Sequence, residues 1–329
     1  MPSLLIQKTV AKDIMTHTRH LYVSSLILLW LIPAYTAIAQ SEKTPNQHLQ
    51  SESRTLVPPN WVSPAENTRA PQDKWVPPDI NTYRPSVAPS VSCSLPDVIS
   101  RVGTKVQNLV HNLDRFSATE VIEHENVARS GNLRPREIHK FNYVFSLRES
   151  SNGYLDAEEY RSRPMSQNQF PDEITTANVP SIVLVFHPNY ISNFRMSCEG
   201  LGNWNGQSAW QVRFEERSDS VGHLSVIIID RKIYNVKFRG RAWILENSHE
   251  LVHMEMDLVE PIPKIRLRLY HEVLEYRPVS LPKSDTEFWL PSGAELYVDF
   301  KGHRFYRRHS YVDFKLFTIK VQQQIGDLR

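Results

Sequence analysis

Charge of one sign is lacking in this chain of 329 residues: 38 Lys and Arg stand against 36 Asp and Glu, a net of +2. That balance excludes the extended basic face with which a nucleic-acid binder neutralises phosphates. Long hydrophobic runs are lacking after residue 39, where nothing approaches the roughly 18 apolar residues of a membrane helix. Cysteine is nearly absent, with only Cys93 and Cys198, and residues 41–92 contain no glycine.

One long apolar run is present, Leu21 to Ala39. Arg19 and His20 open it and Ala37-Ile38-Ala39 close it. This is the pattern of a secretory signal, with cleavage expected between Ala39 and Gln40. Residues 1–14 do not look like a signal n-region, whereas Met15-Thr-His-Thr-Arg19 leads into the run at the usual distance, which makes Met15 an alternative start. Position 40 is Gln rather than Cys, so cleavage there leaves no attachment point for a lipoprotein acyl anchor. The expected location is periplasmic or extracellular. In that oxidising setting Cys93 and Cys198 are expected to pair, a closure worth roughly 4 to 5 kcal/mol in the chain-entropy model. The alternative is two separate small buried side chains.

Residues 40–92 read as a proline-rich, extended or disordered tether, with nine prolines between 41 and 92. Proline-rich chain of this kind is semi-rigid, near ~3.1 Å per residue where it adopts polyproline II. A Trp-Val-x-Pro pattern occurs twice within it, at Trp61 to Pro64 and Trp75 to Pro78. A single folded domain is expected over 93–321, followed by a tail at 322–329. It opens with Ser94 as N-cap and the apolar series Val98, Val102, Val106 and Leu109, which is the spacing of an amphipathic helix.

After Ala118 the period falls to two, as in Phe141, Tyr143 and Phe145 or Trp210, Val212 and Phe214. Such alternation predicts half-buried strands. Further strands are expected at 224–229, 232–238, 241–245, 251–258, 265–276, 286–290, 294–300 and 303–317. Val179 to Phe186 reads as a short helix or a buried strand, and Asn203-Trp-Asn-Gly206 as a hairpin turn. The fold class is therefore mainly β (α+β): a strongly curved antiparallel sheet or incomplete β-barrel of about ten strands, covered by one long helix.

Arg241-Ala-Trp-Ile-Leu-Glu-Asn-Ser248 resembles the Trp-Ile strand and polar turn of the lipoprotein carrier and outer-membrane lipoprotein-sorting superfamily. Leu290-Pro-Ser-Gly-Ala-Glu-Leu-Tyr297 and the strand ending Tyr311-Val-Asp-Phe314 resemble its carboxy-terminal hairpins. A group of uncharacterised secreted bacterial proteins is similar over 194–213, 240–268 and 288–317. The resemblance implies an incomplete barrel closed by helices, no enzymatic activity, and a lipid or lipoprotein partner. It carries no ligand-binding residue across, because the likeness lies in scaffold positions.

His249-Glu-Leu-Val-His253 matches H-E-x-x-H, the motif by which a helix presents two imidazoles to zinc. The local sequence argues against that helix, since Val252, Met254, Met256 and Leu258 alternate with His253, Glu255 and Asp257. On a strand, positions i and i+4 stand about 13 Å apart, too far for one zinc ion. Glu272, a candidate third ligand, also sits in an alternating stretch. No metal or cofactor is expected, and a zinc peptidase is the remote alternative.

Two groups remain. Arg304, Arg307 and Arg308, interleaved with Phe305, Tyr306 and Tyr311, suggest either a basic surface for anionic partners or one solvated strand face. Phe141, Tyr143, Phe145, Trp210, Phe214, Trp243 and Trp289 line either an apolar cavity or an ordinary core. A cavity implies an apolar ligand such as a lipid or lipoprotein acyl chain. A packed core implies an envelope scaffold that binds a protein partner.

Overall fold

The computed structural model describes residues 4–7, 74–82, 85–112, 115–149, 155–162, 174–176, 179–220, 226–229, 232–280 and 287–316. The signal run, Trp61 to Pro64 and the tail 322–329 lie outside the described residues. The strands in chain order are β1 (Leu4–Gln7), β2 (Arg115–Asn126), β3 (Glu137–Glu149), β4 (Leu155–Ser162), β5 (Ile174–Thr176), β6 (Phe194–Trp204) and β7 (Gln207–Glu216). They continue as β8 (Val226–Ile229), β9 (Lys232–Asn235), β10 (Phe238–Leu245), β11 (Leu251–Leu258), β12 (Leu267–Ser280), β13 (Glu287–Phe300) and β14 (His303–Leu316).

Ten of these form one curved antiparallel sheet in the order β4-β3-β2-β14-β13-β12-β11-β10-β7-β6. Pairing of β2 with β14 joins the first strand of the domain to the last, with Tyr311 opposite Glu120. The sheet ends at β4 and β6, so it is an unclosed, barrel-like sheet and not a closed barrel. This is the expected mainly-β architecture. A second sheet, β5-β1-β8-β9, uses a strand upstream of Met15: Leu4 lies opposite Ile229 in one direction and Ile174 in the other.

The long helix α1 spans Leu95–Asn112. Its first turn closes with the Val98 N–H on the Ser94 carbonyl at 3.0 Å, and Asp97 lies near the positive end of the helix dipole. Val98, Val102 and Val106, four residues apart, are buried against the sheet. Next to α1 the segment Val179–Phe186, with Pro180 at its second position and Pro188 just beyond its end, adopts a 3-10 helix. At Gly103 a Cβ would stand 3.2 Å from the Phe186 carbonyl oxygen, so glycine permits the close approach of the two.

Strand alternation gives the sheet a face covered by α1 and an outer face. Phe116, Tyr143, Phe214, Met254, Leu274, Leu296 and Phe305 contribute to the core under the helix. Residues 74–82 and 85–88, from the end of the proline-rich segment, lie on the outer face. Ile80 is buried there; its N–H donates to Asp257 Oδ2 at 2.9 Å, and its carbonyl accepts from Arg241 Nη2 at 3.3 Å. Val87 bridges to Gly202, Trp75 Nε1 donates to the Phe305 carbonyl, and Arg304 stacks on the Trp75 ring. Cys93 and Cys198 form the expected disulfide, tying the start of α1 to β6.

Candidate functional site

A cavity of about 190 Å³ lies between α1 and the sheet. Val102, Val106 and Leu109 of α1 form one wall, and Val183, Leu251 and Phe288 form others. The helical period of the first three and the ends of β11 and β13 bring these side chains together. The rim is polar: Lys105 donates to Glu250 Oε1 at 2.6 Å, with Asn108 and Glu287 beside them. Trp289 and Tyr276 complete the lining. The space is smaller than the ~300 to 1,000 Å³ typical of drug-sized ligands.

Of the seven aromatic residues expected to line a cavity, Trp289 does so. Phe141 packs with Ile122, while Phe145 lies 5.4 Å from Phe116 between ring centroids. Tyr143 and Phe214 are in the core under α1, and Trp210 packs against its edge. Trp243 belongs to the outer face, 5.5 Å from Trp204. The contribution of α1 to the cavity was missing from that expectation, although its i, i+4 valine stripe was the available signal.

Charge is also buried beneath the helix. Glu120 is fully buried; it accepts from Arg161 Nη2 at 2.9 Å, from Arg161 Nε, and from His309 Nδ1 at 2.8 Å. Burial would raise its pKa, but Arg161 and His309 outweigh that and bring it down to about 2. Arg161 also pairs with Glu159, which accepts from the Tyr143 hydroxyl at 2.9 Å. Arg307 donates to His124 Nδ1 at 3.4 Å; burial and the nearby Arg161 push the guanidinium down to about 9. Burial, then Arg307, lowers His124 to about 3, and burial lowers His309 as well.

The three arginines offered as a basic surface therefore part ways. Arg307 faces the core and is 1% exposed, whereas Arg304 and Arg308 are half-buried on the outer face. Arg308 there lies 3.8 Å from both Glu295 and Glu123.

The H-E-x-x-H segment is not a helix. His249 occupies the turn before β11 at φ 58°, and His253 lies within β11. The His253 ring contacts Glu275 at 2.8 Å and Glu255 at 3.2 Å, and stacks 4.1 Å from Trp204. Burial would lower its pKa, but Glu275 and Glu255 prevail and raise it to about 9. Glu272 is on the opposite face, accepting from the Tyr270 hydroxyl at 2.7 Å. Among the described residues no cluster of three or more His, Cys, Asp or Glu is arranged to hold a metal ion.

No family model matches the chain, and no curated protein matches it. Solved structures to which it is similar include the following three. A LolA superfamily protein from Nitrosomonas europaea is 10% identical, with 67% of this chain and 94% of that one covered and a TM-score of 0.34. A DUF1329 family protein from Desulfovibrio piger is 9% identical over 72% and 96%, with a TM-score of 0.39. A protein from Vibrio parahaemolyticus described as an outer membrane lipoprotein-sorting protein domain is 8% identical over 70% and 95%, with a TM-score of 0.34.

Proposed function

We propose that this chain is an exported, non-enzymatic protein that binds an apolar ligand, a lipid or a lipoprotein acyl chain, in the cavity between α1 and the sheet. The apolar wall made by Val102, Val106, Leu109, Val183, Leu251 and Phe288 carries this reading. An apolar ligand entering such a wall gains by leaving water, and the volume limits the buried part to a short segment. Export is supported by the run Leu21–Ala39 and by the Cys93–Cys198 bridge, a bond that persists in oxidising compartments.

A second reading is an envelope scaffold whose outer face or proline-rich segment binds a protein partner. The observation favouring it is the extent to which aromatic and aliphatic side chains already fill the face beneath α1. Residues 41–329, purified from a bacterial periplasm, separate the two by native mass spectrometry with lipid extraction and metal analysis. Stoichiometric lipid is the expected result for the carrier. An empty, metal-free protein favours the scaffold, and one equivalent of zinc overturns both.

A further inference from the structure

The even charge balance of the chain hides an uneven distribution. Where β2, β11 and β13 end and β3, β10, β12 and β14 begin, the connections carry Lys and Arg almost alone. Arg129, Arg134 and Arg136 stand between β2 and β3, Lys264 and Arg266 between β11 and β12, Lys301 between β13 and β14, and Lys237 just before β10. Residues 127–136, 236–237, 259–266 and 301–302 hold one carboxylate between them, Glu260. The connections adjoin: the Val127 N–H donates to the Arg304 carbonyl, the Lys301 N–H to the Arg266 carbonyl, and the Val259 N–H to the Lys237 carbonyl. They form one continuous edge of the sheet.

Cations elsewhere in the fold have carboxylate partners, as in Arg101 with Asp97, Lys105 with Glu250, Arg195 with Glu215 and Arg241 with Glu199. On this edge only Arg136 does, among the described residues, with Glu123 and Glu125. Arg129, Arg134, Lys264 and Arg266 are exposed. Like charges gathered without counter-charges repel one another and gain when an opposite charge covers them. We infer that this edge docks on an anionic phospholipid surface. Lys237 donates to the Ser218 carbonyl, Arg266 reaches the Lys301 carbonyl, and Lys264 lies over the Tyr234 ring, so the cations do not converge on one point as they would around a single phosphate. Spread charge suits a bilayer, whose anionic lipids supply a field across the whole contact. Pro261 and Pro263, exposed in the connection that carries Lys264 and Arg266, add apolar surface of the kind that the headgroup boundary accepts. Leu251 and Phe288 of the cavity lie at the other ends of β11 and β13, so this inference stands apart from the cavity and its ligand.

Co-sedimentation of the protein, purified from the periplasm, with vesicles tests this. Vesicles of phosphatidylcholine with about a third phosphatidylglycerol are expected to bind it at least about tenfold more tightly than phosphatidylcholine alone at about 0.1 M salt, and to lose most of that preference at about 0.5 M. Replacing three exposed cations together, Arg129→Gln, Arg134→Gln and Lys264→Gln, should weaken binding to the anionic vesicles at least about tenfold. Arg101→Gln, whose guanidinium is already paired, should weaken it less than about twofold. Thermal unfolding of the triple variant should match that of the natural protein, and if it does not, the lipid and salt comparisons on the natural protein still decide. Equal binding to neutral and anionic vesicles overturns the inference, as does undiminished binding by a folded triple variant. Capture on polyglutamate or duplex DNA without vesicle binding overturns the bilayer as partner, and no binding to any of these polyanions overturns the edge as a docking surface.

Discussion

The two faces of the ten-stranded sheet both bury histidine beside carboxylate, yet they set its charge in opposite directions. Beneath α1, His309 has one close carboxylate, Glu120, but that carboxylate is shared with Arg161; burial wins and the imidazole is kept neutral. On the outer face His253 lies between Glu275 and Glu255, and their charges outweigh burial. The difference teaches that depth alone does not set protonation here. What decides it is whether the neighbouring carboxylates have already been neutralised by arginine.

The largest effect expected from breaking this contrast is at Glu120. Glu120→Gln keeps the size but removes the charge that Arg161 and His309 both use. The result is a poorly compensated guanidinium beneath the helix. Loss of one partner from a buried pair costs about 3 to 5 kcal/mol. Urea denaturation at pH 7 should show a loss of that order. A loss below about 1 kcal/mol would mean that solvent screens the cluster and that the two faces do not differ in the way described.

Much of this architecture was legible in the sequence because period two and period 3.6 survive wherever one face is buried. Val98, Val102 and Val106 marked α1, and the alternation from Val252 to Leu258 identified β11 despite its metal-binding motif. The buried charges were harder to see. In β2, Phe116, Ala118, Glu120, Ile122 and His124 share one phase, so Glu120 and His124 stand where a core residue belongs. Composition treats such residues as surface, and Arg307 was misplaced for that reason, although alternation with Phe305 and His309 puts it on the core face. The aromatic residues could not be sorted by pattern: a sheet with two covered faces needs apolar side chains on both, and Trp243 lies on the outer one. The repeated Trp-Val-x-Pro pattern was the one signal of docking in the proline-rich segment, and its Trp75 meets Phe305 and Arg304, whereas Ile80 gave no signal because it is held mainly through its backbone.

The next effect is a pH dependence that differs between the faces. Stability from His253, raised to about 9 from an ordinary 6.5, is fully present below pH 6.5 and is lost as pH rises through 9. The shift corresponds to on the order of 2 to 4 kcal/mol. Beneath the helix the sign reverses. His124, lowered to about 3, and His309 remain neutral in the folded protein while the unfolded chain takes up protons below about pH 6.5, so stability falls there with acidification. Glu120 adds a loss as pH falls from 4.5 through about 2. Unfolding free energies for His253→Gln should therefore lack the decline between pH 6.5 and 9 and keep the acid decline. Loss of both limbs would show that the faces titrate as one system.

The smallest effect concerns what holds residues 74–82 over the outer face. Asn81 Oδ1 accepts from Arg213 Nη2 at 2.6 Å, but this contact is exposed, and exposed contacts of this kind are worth about 0 to 1 kcal/mol. The buried alternative is Ile80, whose N–H and carbonyl meet Asp257 and Arg241. Asp257 also pairs with His271 at 2.6 Å, and Arg241 pairs with Glu199, so the backbone of Ile80 completes two ionic groups that lie within the sheet. If those groups provide the attachment, Asn81→Ala should change stability by less than about 1 kcal/mol and leave hydrogen exchange at the Ile80 amide protected. Rapid exchange at that amide in Asn81→Ala would transfer the attachment to the exposed pair. The outer face would then be covered by a segment that opens independently of the sheet, unlike the face beneath α1.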